Sequence, residues 1–353
     1  MSRGWPEPAA PAGTVALRFR TDPDCPAVSN MSAAVRIGAT LFLAGDENAA
    51  IERLTRTGGG GEWGNHLRLP LADLLDFDEP DEEADLEGLA VADGWLWVLG
   101  SHARTRPKLK KDEPQIDTLD LANLKDTRPR CVLARLPLVE WDGAWLPVRD
   151  DGDRRAAMLK QNKHGNALAK MIADDKLLSP FTRIPAKEGG VDMEGIAVCG
   201  DRVAFGMRGP VIGGHAVLIE ARTRTTRKGN LKLADEPVKR LLKMEGLGIR
   251  DLKRCGDHLL ILAGPTTSLS GPCALYLWRG WATDPPQDAH ALRVHRPERL
   301  FDLPFGGGED HPEGLALWDD NRLLVVNDSP AKSRLSDEGR TLTADLYELP
   351  ELD

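Results

Sequence analysis

Short apolar runs recur along this chain, each ended by a glycine or aspartate turn and followed by a second apolar run. Gly94-Trp95-Leu96-Trp97-Val98-Leu99-Gly100 and Asn321-Arg322-Leu323-Leu324-Val325-Val326-Asn327 are rich in branched and aromatic residues and bounded by Gly or Asn. That pattern predicts strands buried on both faces. Three of the runs preceding such strands share one phrase: Asp85-Leu86-Glu87-Gly88-Leu89-Ala90-Val91, Asp192-Met193-Glu194-Gly195-Ile196-Ala197-Val198 and His311-Pro312-Glu313-Gly314-Leu315-Ala316-Leu317. A fourth, Gly248-Ile249-Arg250-Asp251-Leu252, reaches its turn at Cys255-Gly256-Asp257 after the same number of steps, with Arg250 in the place of Glu. A fifth, Asn30-Met31-Ser32-Ala33-Ala34-Val35, carries Ser32 there. Glu245-Gly246-Leu247 is an alternative start for the fourth run, but counting back from its turn favours Arg250.

A strand-turn-strand unit repeated at intervals of tens of residues cannot bury its apolar faces alone and must stack on its neighbours. Outer strands follow in most units, as in Cys131–Leu136 with Trp145–Val148 and in Ala216–Glu220. Four antiparallel strands per unit is the make-up of a propeller blade. The pattern therefore predicts an all-β propeller of five four-stranded blades, one domain over residues 1–353. The last unit stops one strand short near Thr343–Leu349, and a strand near residues 14–20 is expected to supply it and close the ring. Two insertions interrupt the repeat: a charged loop from Arg104 to Arg130, and residues 153–178, where alanines, leucines and lysines at near-helical spacing predict one or two short helices. The glycines from Gly58 to Gly61 lack a following Gly-Lys-Ser/Thr and read as an outer turn, not a phosphate loop.

Composition narrows the class. The 353 residues include 35 Gly and 25 Pro, which disfavours a helical fold. No apolar run approaches the roughly 20 residues that span a bilayer, and the first residues lack the apolar centre of a secretory signal. Five cysteines with no close CxxC pair point to free thiols and a cytoplasmic address. Arg104 to Lys111 holds five positive charges, but acidic neighbours, the absence of aromatics and a net charge of -9 argue against nucleic acid.

In a blade the start of the first strand and the end of the second emerge on one face, and residues two apart share a side. Asn30, Asp85, Glu87, Asp192, Glu194, Arg250, Asp251, His311 and Glu313 are then expected around one channel mouth. Asp46, Glu47, Ser101, His102, Arg208, Asn327 and Asp328 join them from the second strands. Carboxylates crowded there need positive charge. Two compensators are open: a divalent cation such as calcium, which favours oxygen ligands, or Arg208 and Arg250. With a cation held by Glu87, Glu194 and Glu313, His102 or His311 would handle the proton, and Arg208 and Arg250 would steady negative charge. The expectation is then a metal-assisted hydrolase of a small ester, lactone or phosphoester. With the arginines as compensators, the same mouth becomes a non-catalytic site for a small-molecule ligand or a protein partner, lined by Asn30, Asp46, Glu47, Asp85, Ser101, Asp192, Asp251, Asn327 and Asp328. No Gly-x-Ser-x-Gly elbow or HExxH motif is present.

The Glu-Gly strand starts, Gly100-Ser101-His102, Pro185-Ala186-Lys187-Glu188-Gly189-Gly190, Phe205-Gly206-Met207-Arg208-Gly209-Pro210 and Ile261-Leu262-Ala263-Gly264-Pro265 together resemble a bacterial family catalogued as domain of unknown function 3616. The resemblance runs from about Ala27 to Leu349; it implies a propeller and brings no activity with it. More distantly, the strand starts are similar to those of calcium-dependent lactonase and arylesterase propellers. That likeness implies Glu87, Glu194 and Glu313 as calcium ligands, with Ser32 and Arg250 departing from it.

Overall fold

The computed structural model describes residues 6–20, 28–45, 49–58, 61–76, 83–107, 121–125, 127–284, 291–319 and 321–352. The chain is mostly strand with few helices, and its sheets curl into a nearly closed, propeller-like arrangement. Each repeated unit forms a tight antiparallel hairpin: Met31–Ile37 with Thr40–Gly45, Leu86–Ala92 with Trp95–Gly100, Asp192–Cys199 with Arg202–Gly209, Gly248–Cys255 with His258–Gly264, and His311–Asp319 with Arg322–Asp328. Third and fourth strands extend the hairpins outward, as with Ala216–Thr225 and Val238–Leu242 in the third unit and Cys273–Trp278 and Glu298–Leu303 in the fourth. The first strands contact one another in cyclic order, so they surround one axis. Gly13–Arg18 pairs antiparallel with Thr341–Glu348 of the fifth unit, and its Ala16 and Leu17 pair in parallel with Glu62 and Trp63 of the first.

Strands that are apolar on both faces now have a reason. Alternate side chains feed different layers: Leu96 and Val98 pack with Phe42 and Ile51 of the first unit, whereas Trp97 and Leu99 pack with Ile196 and Phe205 of the third. The same sharing joins units three and four through Ala204 and Ile249, four and five through Leu262 and Val325, and five and one through Leu324 and Trp63. Burial of this kind on both sides of a sheet is the main stabilising contribution.

The repeated glycines serve this stacking. A Cβ at Gly195 would lie 2.7 Å from Leu252 Cγ and 2.9 Å from its backbone nitrogen, and one at Gly314 would lie 3.1 Å from the backbone of Ala33. Adjacent first strands approach too closely there for any larger residue.

Residues 153–178 are not wholly helical. Ala157–Met158 instead pairs with Leu133–Trp141, whose far half pairs with Ala144–Pro147, so the second unit's outermost strand comes in two pieces. The helix is Ala167–Asp174, capped by Asn166, whose Oδ1 accepts from the Ala169 amide at 3.0 Å, and it buries Leu168 and Ile172. Two short 3-10 turns follow at Ser179–Arg183 and Ala186–Glu188. Among the described residues Cys131, Cys199, Cys255 and Cys273 are free thiols, and no helix is long and apolar enough to cross a membrane.

Candidate functional site

Every first strand carries a β-bulge at a matching position, and those of the third and fifth units have a second irregularity, at Asp192/Met193 and Leu317/Asp319. The pairing register skips between Met31 and Ala33, Leu86 and Gly88, Met193 and Gly195, Ile249 and Asp251, and Pro312 and Gly314. The residues left out are Ser32, Glu87, Glu194, Arg250 and Glu313. A bulge bends the strand and re-aims the extra side chain, and Glu87, Glu194, Arg250 and Glu313 meet at or just behind the axial mouth. Arg250, not Glu245, is the fourth member: Glu245 lies in the preceding turn with φ +52°, takes the Tyr276 hydroxyl and sits 3.7 Å from Arg299 Nη1.

Arg250 sits between its neighbours. Its Nη2 pairs with Glu313, and its Nε lies 3.0 Å from Glu194 Oε2, off the N–H direction, so this second contact is an electrostatic pair and not a hydrogen bond. Glu194 meets Arg208 Nη1 at 2.9 Å through its other oxygen, and Arg208 Nη2 pairs with Asp192. Burial alone would lower the Arg208 pKa, but Asp192, Glu194, Glu87 and Asp85 hold it above the ordinary value. On the second unit Arg130 pairs with Asp85 and Glu83, and the Ser101 hydroxyl also donates to Asp85.

Two adjoining hollows open over this network. The larger, about 360 Å³, is lined by residues including Asp85, Glu87, Arg130, Glu188 and Asp192; the smaller, about 150 Å³, by Arg250, Leu269, Cys273, Phe305 and His311. Lys187, Arg208, Glu313 and Asp328 line both. The exposed Leu269 and Phe305 give the smaller hollow an apolar rim. Burial first, and then Arg250 pulling back against Glu194 and Asp302, moves the Cys273 thiol up to about 11, which leaves it protonated and a poor nucleophile.

The residues singled out from the sequence divide in four. Asp85, Glu87, Asp192, Arg208, Arg250, His311, Glu313 and Asp328 line one or both hollows, with Glu194 directly behind them. Asn30 bridges to Asp328 across the junction of the fifth and first units. Asp46 and Glu47 lie outside the described residues. The remaining four face elsewhere, which corrects the expectation for them. Ser101 is fully buried, held between Asp85 and the Ala103 amide. His102 lies behind the mouth: its Nδ1 donates to the Gly100 carbonyl at 2.8 Å, its Nε2 accepts from Asn166 at 3.1 Å, and burial lowers its pKa to about 4. A neutral ring with both nitrogens occupied has no proton to offer a ligand.

Asp251 points into the channel interior, where it accepts from the Leu315 amide of the next unit and from Lys253, whose Nζ also reaches the Leu89 carbonyl across the axis. Burial moves the Asp251 carboxyl up to about 6 and lowers the Lys253 amine. Asn327 lines a separate hollow of about 170 Å³ on the flank of the fifth unit. Conversely, Arg130, Lys187, Glu188 and Arg106 belong to the site and escaped the strand pattern because they sit on loops. Arg106 grips Glu188 with two nitrogens, joining the loop after the second unit's hairpin to the loop before the third. Two signals were available: the basic stretch from Arg104 to Lys111 for Arg106, and the Pro185–Gly190 motif for Lys187 and Glu188.

A divalent cation does not fit this donor set. Glu194 is engaged on both oxygens by two guanidinium groups and Glu313 by one, so an ion among them would have to displace arginines or lie against them. Among the described residues no group of three or more His, Cys, Asp or Glu is arranged to hold a metal.

The chain belongs to the family described as protein of unknown function (DUF3616), whose model matches residues 30–345. No curated protein matches the sequence. Among solved structures it is similar to virginiamycin B lyase from Staphylococcus aureus (11% identity, covering 96% of this chain and 75% of that one, TM-score 0.32). Myxococcus xanthus glutaminyl cyclase overlaps at 11% identity, 97% and 100% coverage and TM-score 0.41. The Cellvibrio cellulosa alpha-L-arabinanase overlaps at 11% identity, 89% and 91% coverage and TM-score 0.38. Overlaps this loose carry no chemistry across.

Proposed function

We propose that this member of the DUF3616 family is a five-bladed propeller that binds a small polar molecule at the mouth where the bulged residues meet, with arginines in place of a metal ion. The observation that carries the reading is Arg250 lodged between Glu194 and Glu313, with Arg208 closing the row onto Asp192. Charges already matched inside a hollow leave hydrogen-bonding capacity without a strong net field, which suits an uncharged or zwitterionic ligand better than a polyanion. The apolar rim at Leu269 and Phe305 adds room for a small hydrophobic group.

The test is a thermal-shift screen of small polar metabolites, sugars, esters and lactones, with and without chelator, alongside elemental analysis of the purified protein. The expected result is no stoichiometric divalent ion, a melting temperature indifferent to chelator, and at least one compound that stabilises the wild type. A ligand at 100 times its Kd would add about 2.7 kcal/mol. The shift should vanish in Lys187→Glu, whose side chain lines both hollows. A tightly held calcium or zinc whose removal lowers the melting temperature would overturn the reading.

A further inference from the structure

Asp85 and Asp192 stand out within the mouth. They come from adjacent units, both are almost wholly buried, and both line the larger hollow. The contacts that the described residues make with them fall on Oδ2: Arg130 and Ser101 on Asp85, Arg208 on Asp192. The two arms are tied together, since the Met193 amide donates to the Ser101 carbonyl at 2.9 Å. The result is a fixed pair of carboxyls, each held on one side by a guanidinium, facing a hollow large enough for a small molecule.

We infer that Asp85 and Asp192 act as a paired general acid and general base on a C–O bond of the bound molecule, an acetal or ester that is cleaved by water without a metal. This rests on the binding proposed above. One carboxyl, protonated, gives its proton to the leaving oxygen as the C–O bond breaks; the other, ionised, takes a proton from the water whose oxygen forms the new bond. The products are two molecules with the elements of water added, and the pair holds one proton before and after. Two buried carboxyls that face one hollow and hold one proton between them are a recurrent arrangement for acid–base chemistry.

The electrostatics support the geometry. Burial is the main cause that moves both carboxyls up to about 6; Asp192 and Glu83 raise Asp85 further, and Glu194 raises Asp192. The groups facing Asp85 are Arg130, Asp192, Ser101 and Glu83; those facing Asp192 are Arg208, Glu194, Arg250 and Arg130. Arginine stays charged throughout, so the change with pH belongs to the carboxyls.

The experiment has two arms. Carbon-13 NMR of protein labelled at aspartate Cγ, titrated over about pH 4 to 9, should show two carboxyls releasing protons well above the usual aspartate range near 3.9. Asp192→Asn should shift the Asp85 titration downward. In chelator-containing buffer, a panel of nitrophenyl glycosides and nitrophenyl esters should include one that the wild type cleaves with a bell-shaped pH profile. Asp85→Asn and Asp192→Asn should each slow cleavage by about 100-fold or more. Normal titration of both carboxyls in the wild type, or no cleavage of any probe, overturns the inference. The binding reading survives either result if the thermal-shift ligand still stabilises the protein, so the two fail separately. Should an Asn variant not fold, the wild-type titration and pH profile still decide.

Discussion

Removing the Arg250 guanidinium while keeping its stem, as in Arg250→Met, isolates the claim that arginine is the mouth's compensating charge. Glu194 would keep Arg208 at 2.9 Å, whereas Glu313 would lose Arg250, the one ion-pair partner found for it among the described residues. Breaking a buried ion pair by deleting one partner costs about 3–5 kcal/mol, because the other charge is left in a poorly solvated place. The Glu313 side chain keeps 13% exposure, which puts the expected loss at the low end, about 3 kcal/mol. The stem rests near Gly264, so methionine leaves packing almost unchanged. The assay is urea unfolding at neutral pH with and without chelator, read as a shift in midpoint at constant slope. Adding Glu313→Gln to Arg250→Met should recover about half of the loss, since the stranded charge is then gone. A loss below about 1 kcal/mol, or an equal loss produced in the wild type by chelator alone, would refute the assignment.

Three further outcomes are expected. Gly195→Ala should destabilise more than Gly88→Ala, because its Cβ would lie 2.7 and 2.9 Å from Leu252 atoms while that at Gly88 would find nothing nearer than 3.0 Å; overpacking costs about 1–3 kcal/mol, and denaturation midpoints rank the pair. Asp251 is held near 6 in the fold against 3.8 as a free side chain, so the folded state keeps a proton that the unfolded chain has released. Its contribution is full below about pH 4 and lost as pH rises through about 6, so wild type should lose stability relative to Asp251→Asn across that window in unfolding curves measured at stepped pH. His102→Gln should leave ligand affinity within about twofold while lowering stability by roughly 1–3 kcal/mol, because the ring serves Gly100 and Asn166 and faces neither hollow; a large loss of affinity by calorimetry at unchanged stability would return the ring to the site.

Much of this molecule was legible one residue at a time. Apolar runs between Gly, Asp and Asn turns marked the hairpins, because a strand covered on both faces needs side chains of one kind throughout, whatever it packs against. The count from the Cys255-Gly256-Asp257 turn picks out Arg250, the residue at the bulge of the fourth unit, since hairpin pairing carries a position on one strand to a fixed position on the other. The repeated Glu-Gly phrase also held two separable meanings, a glycine for close approach and a preceding residue re-aimed by the bulge.

What a side chain meets across a boundary was decided only in three dimensions. The row Asp192–Arg208–Glu194–Arg250–Glu313 spans three units far apart in the chain, and nothing local says whether a carboxylate there will find a guanidinium or a cation. His102 and Asp251 sit on strand ends or one step beyond the bulge, where a small backbone turn sends a side chain inward instead of to the mouth: His102 has φ +55°, and Asp251 follows the bulged Arg250. Arg130 and Lys187 ride on loops, which carry no periodicity. Pattern along the chain records which faces must be dry, because burial is set by the local alternation of side chains. Pairing of charges depends on distances between units, and these exist only once the units have packed together.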